Sequence, residues 1–288
     1  MTLKRTFIFL MLLSLWGATS AKVKVTAHLN FGKTGNISFV SAPSEVYSSD
    51  SKIKLKSMGD PVFNAEAPMG KALKGDGCIL FHGNGDGYTG TQAIGKASDN
   101  MILEVWVKAR THTHGETHKR DIDRIRPVVT NGVLGEGYSI AQKGKKWVFV
   151  GGKSGNVDIG DVILDQWVHL AAVRDGDSGT VWRDGKHTNN FTPSTSYGDG
   201  FSIAASTTSK YPSYFNGDIY EIRYSIFKKG AFDPESDFLL YYEKKKEKSQ
   251  ARTAARAELV KILESDGLGK ELVTTLSTAL CKKDWLIE

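Results

Sequence analysis

Short runs of β-branched and aromatic residues recur along most of this chain, and each ends at glycine, asparagine, aspartate or serine. They include CILFHG, MILEVWVKA, YSIAQKG, KWVFVGG, WVHLAAVRDG, TVWRDGK and DIYEIRYSIF. Such runs, separated by turn residues, are typical of strands in a sandwich or barrel. Asp184-Gly185 predicts a two-residue hairpin, because both residues tolerate positive φ. No alternation of strand and helix patterns appears, so we predict an all-β fold over residues 22–232.

The run LEVWVKA shows how one strand divides its side chains between two faces. Leu103, Val105 and Val107 fall on one side of an extended strand. Glu104 falls on the other side together with Trp106, so we do not expect the second face to be fully exposed to solvent.

The first 21 residues have the pattern of an export signal. Lys4 and Arg5 precede the apolar run TFIFLMLLSLW, and the small residues ATSA follow it. We predict a cleaved signal peptide over residues 1–21 and a secreted, periplasmic or cell-surface location, with an uncleaved N-terminal anchor as the alternative. No later stretch approaches the ~20 apolar residues of a membrane helix.

The composition changes near the C-terminus, where alanine, leucine, lysine, glutamate and arginine become frequent. Asp233 and Pro234 suit the N-cap and the first turn of a helix. We predict a helical tail over residues 233–288, formed by two helices that the glycines of DGLG separate. Such a tail offers a route to oligomerisation.

Charge and cysteine content bound the partners and the covalent structure. The formal net charge of +6 is mild for 288 residues, and no basic cluster is interleaved with stacking aromatics. We therefore expect no nucleic-acid partner. Export permits a disulfide between Cys78 and Cys281. Alternatively, Cys78 is a small buried residue of the strand CILF.

Several motifs resemble, in their order along the chain, those of LamG-like domains. They are GKALKGDG, ILEVWVKA, WVHLAAVRDG, VWRDGK and FNGDIYEIRY. LamG-like domains belong to the laminin G and concanavalin A-like lectin and glucanase jelly rolls. The resemblance covers about Val25 to Phe232 and implies two packed antiparallel sheets. It also implies a module that binds glycans or other extracellular ligands, often with calcium.

The closing motif departs from the family pattern, which leaves a calcium site open. The family has Gly-x-Ile-Asp-Glu where this chain has Gly-Asp-Ile-Tyr-Glu, so Tyr220 stands at the position of the acid. On a regular strand, the displaced Asp218 would share one face with Tyr220 and Ile222. The candidate oxygen donors for calcium are Asn84, Asp86 and Asp218. The alternative is that HGNGDG is only a glycine-rich turn.

Catalytic patterns are absent from the sequence. Glycoside hydrolases need two carboxylates that flank the sugar bond, and the Glu-x-Asp-x-x-Glu pattern of this fold's glucanases does not occur. We expect Glu221 to form an ion pair with Arg223 on the same strand face. Zinc-protease, nucleophile-elbow and phosphate-loop motifs do not occur either. We therefore predict no catalytic residues, with a glycoside hydrolase as the less favoured alternative.

Loop tyrosines are the candidates for ligand binding, because an exposed ring offers a sugar an apolar face and a polar rim. They are Tyr88, Tyr197, Tyr211 and Tyr214. His169, in the motif Trp-x-His, is by contrast predicted to be a packed, hydrogen-bonded core residue.

A histidine-rich stretch, RTHTHGETHKRDIDRIR, follows MILEVWVKA at a point where relatives usually have a short connection. His112, His114 and His118 would suit a transition metal such as zinc, copper or nickel if the chain stays extended. Gly115 indicates a turn, and a solvated loop is the favoured interpretation.

These features predict an exported, non-catalytic LamG-like sandwich that binds a carbohydrate or an extracellular or cell-surface protein through loops at its rim. The alternative is a structural or assembly protein that acts through the helical tail.

Overall fold

The computed structural model describes the β region almost throughout. It covers residues 24–30, 45–47, 54–64, 77–96, 99–111, 124–134, 137–151, 155–194, 198–206, 213–238 and 240, with the backbone alone for 24–30 and 45–47. The chain divides into two compact units, and the unit Lys22–Pro234 contains all of the strands. The other unit is formed by Met1–Ala21 and Glu235–Glu288.

Eighteen strands occur in the described residues. They are β1 (Lys24–Asn30), β2 (Glu45–Tyr47), β3 (Lys54–Met58), β4 (Val62–Asn64), β5 (Cys78–His82), β6 (Gly87–Gly90), β7 (Met101–Ala109), β8 (Ile125–Asn131), β9 (Tyr138–Lys143), β10 (Lys146–Val150), β11 (Asn156–Asp161), β12 (Trp167–Asp175), β13 (Ser178–Arg183), β14 (Lys186–Phe191), β15 (Phe201–Ile203), β16 (Ala205–Ser206), β17 (Ser213–Tyr214) and β18 (Asn216–Ile226).

The strands form two eight-stranded antiparallel sheets. Sheet A has the order β14-β13-β12-β7-β18-β5-β4, and β1 also pairs with β18. Sheet B has the order β11-β10-β9-β8-β15-β6-β3-β2, and β16 and β17 form a separate two-stranded ribbon. Both sheets contribute to one buried apolar cluster, so they pack face to face as a sandwich. The predicted all-β, two-sheet architecture is confirmed.

The core lies between the sheets and follows the alternation that the sequence predicted. Leu103, Val105 and Val107 of β7 point into it, opposite Phe149 and Ile140 of sheet B. All nine residues of β7 are buried, including those on the outward face of sheet A. The outward-facing residues of β7 are therefore also shielded from water.

A β-bulge in β18 changes which residues share a face. The register of β18 against β7 shifts between Ile219 and Glu221. Ile219 and Ile222 therefore both point into the core, whereas Asp218 and Glu221 are on the outward face. The expectation that Asp218 shares a face with Ile222 is wrong, because a regular two-residue period does not continue through a bulge.

The predicted hairpin turns are present. Asp184 and Gly185, with φ of 49° and 75°, connect β13 to β14 as the sequence predicted. Gly144, with φ of 58°, lies in the lysine-rich turn between β9 and β10. Cys78 is buried on β5, and because Cys281 lies outside the described residues, the disulfide between them stays a prediction.

The predicted helical tail lies almost wholly outside the described residues. Its described residues, 233–238 and 240, contain turns, bends and a single 3-10 position, so the helical tail stays a prediction. Within the described ranges, no helix is both long and apolar enough to cross a membrane. The signal peptide and oligomerisation through the tail stay predictions.

Candidate functional site

The outward face of sheet A carries a buried network of charged side chains. Glu104 of β7 is 0% exposed and accepts hydrogen bonds from Arg223 Nε at 2.6 Å and from His169 Nε2 at 2.9 Å. The cross-strand registers His169↔Trp106 and Arg223↔Glu104 bring these residues together from three strands. The prediction that His169 is packed and hydrogen-bonded is confirmed. Arg223, which the sequence paired with Glu221, is bonded to Glu104.

Asp218 lies at the centre of a second group on the same face. Arg110 donates two hydrogen bonds to its carboxylate, from Nε at 2.6 Å and from Nη2 at 3.2 Å. Lys108 Nζ lies 3.5 Å from the carboxylate, and the Asn64 amide donates to it at 2.9 Å. Two cations and an amide thus surround a carboxylate that is 0% exposed. This surrounding favours a structural role for Asp218.

Asp86 anchors the glycine-rich loop between β5 and β6. Its Oδ2 accepts hydrogen bonds from the backbone amide of His82 at 3.0 Å and lies 2.6 Å from Nδ1 of the same residue. Its Oδ1 accepts from the amide of Asp60 at 2.9 Å. Burial acts to raise the pKa of Asp86, but the bonds from His82 and Asp60 outweigh it, so the pKa lies below the ordinary value of 3.8. Gly83 and Gly85 have positive φ, as expected of a glycine-rich turn.

The calcium set of Asn84, Asp86 and Asp218 therefore has its two carboxylates engaged inside the protein. Asn84 is exposed in the loop that Asp86 anchors. In the described ranges, no three histidine, cysteine, aspartate or glutamate side chains are grouped to hold a metal ion. Calcium binding stays a prediction.

The tyrosine candidates are distributed differently from the expected exposed loop positions. Tyr88 is on β6 and 0% exposed, with its ring edge-on to Phe81 in the core, so it cannot stack on a ligand at the surface. Tyr214 is half-buried on β17, opposite Ala205. Tyr197, Tyr211 and the three histidines His112, His114 and His118 lie outside the described residues.

An open cleft of about 230 Å³ lies on sheet B, where β6 and β8 end and β15 begins. The register places Gly90 of β6 and Asn131 of β8 on either side of Phe201 of β15. The loops beyond these strands are joined by a bond from the Gly132 amide to the Gly200 carbonyl at 2.8 Å. The lining residues are Gly90, Thr91, Thr130, Gly132, Leu134, Asp199, Gly200, Phe201, Ser202 and Ser206.

Hydroxyl groups dominate the chemistry of the cleft. Thr91, Ser202 and Ser206 each supply one, the hydroxyl of Thr130 is bonded to Ser139 Oγ at 2.9 Å, and Asp199 adds an exposed carboxylate. Three of the lining residues are glycines, which have no side chain between the backbone amides and a ligand. The cleft thus presents hydrogen-bonding groups beside the apolar Leu134 and Phe201.

Sequence reasoning missed this cleft because its residues come from four separate segments. The signal that was available is a glycine directly after or before a strand with serine or threonine neighbours, as in TGT, VTNG and GDGFS. Glycines of this kind are typical of turns, and nothing in the sequence shows that three of these turns lie next to one another.

A second depression, of about 350 Å³, lies around the turn between β9 and β10. Lys143, Lys145 and Lys146 line it with Asp158. Hydrogen bonds to Asp161 and then Asp158 raise the pKa of Lys146, which places much of the local charge in exposed ion pairs.

Comparison with known families supports the architecture. The family model of the concanavalin A-like lectin/glucanases superfamily matches residues 82–227, which is half of the chain. The chain belongs to this superfamily. The resemblance to LamG-like domains is thereby confirmed. A comparison with curated proteins gives no match.

Several solved structures are similar to this chain in fold. Domain 4 of AbnA, a GH43 extracellular arabinanase from Geobacillus stearothermophilus in complex with arabinotriose, is 15% identical with a TM-score of 0.50, covering 73% of this chain and 96% of that one. A Trypanosoma rangeli sialidase mutant displaying trans-sialidase activity is 12% identical with a TM-score of 0.53, covering 77% and 33%. The botulinum neurotoxin serotype G binding domain is 11% identical with a TM-score of 0.51, covering 76% and 51%.

At these identities the similarity shows the fold alone. The chain spans about a third of the sialidase and about half of the toxin domain.

Proposed function

We propose that this protein is an exported, non-catalytic carbohydrate-binding protein, and that the cleft on sheet B holds a short oligosaccharide. The observation that carries the proposal is the set of three hydroxyl groups, from Thr91, Ser202 and Ser206, and one exposed carboxylate around an open cleft of about 230 Å³. The membership of the chain in a lectin and glucanase superfamily also supports carbohydrate binding. The complex of the similar arabinanase domain with arabinotriose is a further support.

The composition of the cleft suits a sugar. Hydroxyl and carboxylate groups exchange hydrogen bonds with ring hydroxyls, and glycine backbone groups add further donors and acceptors. Leu134 and Phe201 offer an apolar surface for the C–H face of a ring. The volume lies below the ~300–1,000 Å³ of pockets for drug-sized ligands, which favours one or two sugar rings over a long chain.

The carboxylates argue for binding without hydrolysis. Hydrolysis of a glycosidic bond needs two carboxyl groups on either side of the bond. Asp199 is the only carboxylate among the described residues that line the cleft. Glu104 and Asp218, which are buried on sheet A, are held by cations.

The test is binding to a panel of immobilised oligosaccharides, with and without a calcium chelator, followed by calorimetry on the strongest ligand. Ser202→Leu fills the cleft from β15, so we expect at least a tenfold loss of affinity. Ser178→Leu makes the same change at an exposed position on β13 and should leave affinity unchanged. Because Asp86 and Asp218 are already engaged, chelation should not change affinity.

Two results would contradict the proposal. One is a well-folded parent protein that binds no oligosaccharide in either condition. The other is equal binding by the Ser202→Leu variant and the parent, which would place the sugar elsewhere. Release of reducing ends from a bound oligosaccharide would replace the non-catalytic part of the proposal with a hydrolase.

A further inference from the structure

Ser206 carries a buried hydroxyl group that has no hydrogen-bond partner in the described part of the structure. The residue is 2% exposed and lines the cleft on sheet B. Its neighbour across the ribbon, Ser213, donates its hydroxyl to the Ile125 carbonyl at 2.7 Å. Native proteins pair nearly all of their buried polar atoms, so the unpaired Ser206 hydroxyl indicates a group that the cleft receives from outside.

The described lining of the cleft carries charge of one sign only. Among the described residues that line it, Asp199 is the only ionisable one, and it is exposed. Lys143, Lys145 and Lys146 line a separate depression on sheet B. An anionic ligand in the cleft would therefore meet a carboxylate and, among the described lining residues, no cation to offset it.

We propose that the cleft selects neutral sugars over acidic ones, and that Ser206 pairs with a hydroxyl of the bound ring. This inference rests on the proposed function and adds the class of sugar to it. Asp199 accepts hydrogen bonds from ring hydroxyls and repels uronic, sialic or sulfated residues. Discrimination of this kind comes as much from repulsion of the wrong ligand as from contacts with the right one.

Replacement of Ser206 by alanine distinguishes a role in stabilising the fold from a role in binding the sugar. A serine whose hydroxyl supports the fold lowers the unfolding temperature when it is replaced by alanine. A serine whose hydroxyl is unpaired in the free protein does not, because alanine removes a buried polar group that has no partner. Ser206→Ala should therefore keep or raise the unfolding temperature and lower sugar affinity about 3- to 10-fold, the value of one hydrogen bond.

The experiment compares matched pairs of oligosaccharides of equal length, such as glucose with glucuronate oligomers and galactose with galacturonate oligomers. Calorimetry on the full mature chain should give at least about tenfold weaker binding for the acidic member of the preferred pair, since two like charges ~4 Å apart repel appreciably near a protein surface. Added salt should narrow the difference. Asp199→Asn should narrow it as well, while Asp177→Asn, in the exposed turn before β13, should not.

The possible failures separate the two proposals. If Ser202→Leu abolishes binding but acidic and neutral members bind equally, the neutral-sugar inference is overturned and the binding site stands. Ser206→Ala that lowers the unfolding temperature and leaves affinity unchanged would overturn the role of Ser206. Preferential binding of acidic sugars that Lys145→Glu removes would overturn the inference and move recognition to the lysine-lined depression. If no oligosaccharide binds, the proposed function fails and the inference fails with it.

Discussion

Replacement of Glu104 by glutamine should destabilise the sandwich strongly, although the two side chains have nearly the same shape. Glu104 is 0% exposed, and Arg223 Nε and His169 Nε2 lie 2.6 Å and 2.9 Å from its carboxylate. The amide retains one acceptor oxygen but removes the negative charge that offsets the Arg223 guanidinium, which is itself only 6% exposed. Removing one partner of a buried ion pair costs about 3–5 kcal/mol.

This cost corresponds to a fall in unfolding temperature of about 6–20 °C for a domain of this size. Differential scanning calorimetry of parent and Glu104→Gln protein at neutral pH measures it. The matched control is Asp161→Asn, which breaks an ion pair of similar length, 2.9 Å to Lys146, in a fully solvated position. We expect no measurable shift in the control. Equal shifts in the two variants would refute the reasoning that burial makes the contribution of the Glu104 network to stability large.

Two pH predictions follow from groups with displaced pKa values. Because Asp86 has a lowered pKa in the fold, its carboxylate stabilises the protein above the unfolded value near 3.8, and this contribution is lost as pH falls below it. Asp86→Asn should therefore cost about 1.5–3 kcal/mol at pH 7, and the gap from the parent should close below pH ~4 in urea titrations; a constant gap would contradict the role of the charge. Burial raises the pKa of Tyr88, and of Tyr138 despite the opposing Arg174, so stability should fall above pH ~10 by about 1.4 kcal/mol per pH unit for each tyrosine. Tyrosinate absorbance should develop for both only as the protein unfolds, and ionisation of all tyrosines near pH 10 in folded protein would disprove their burial.

The strands, their turns and the family were predictable because their signals are local. Alternation in β7 and positive-φ residues at the turn Asp184-Gly185 depend on neighbours within a few residues. The bulge in β18 was not predictable, because the sequence DIYEI fits an unbroken strand equally well. Only pairing with β7 shows that Tyr220 is the inserted residue, and that shift moves Asp218 to the outward face.

The candidate site was predicted less well than the fold. Tyr88 follows a glycine-rich loop and reads as an exposed ring, yet burial is decided by the sheet that packs over it. Arg223 was assigned to its near neighbour Glu221, whereas the bond forms to Glu104, 119 residues away in the chain. Closeness in sequence did not identify this partner, because β7 and β18 become neighbours only in the folded sheet.

The sequence by itself determined a two-sheet antiparallel sandwich of the lectin and glucanase type, since side-chain alternation, turn chemistry and family motifs are written in consecutive residues. Only the tertiary structure decided which charges are buried together and where a ligand can enter. The cleft lies where Gly90 ends β6, Gly132 follows β8 and Gly200 precedes β15, and these three strands become neighbours only in sheet B. The unpaired hydroxyl of Ser206 is likewise a property of packing, because a partner is present or missing in space and not along the chain.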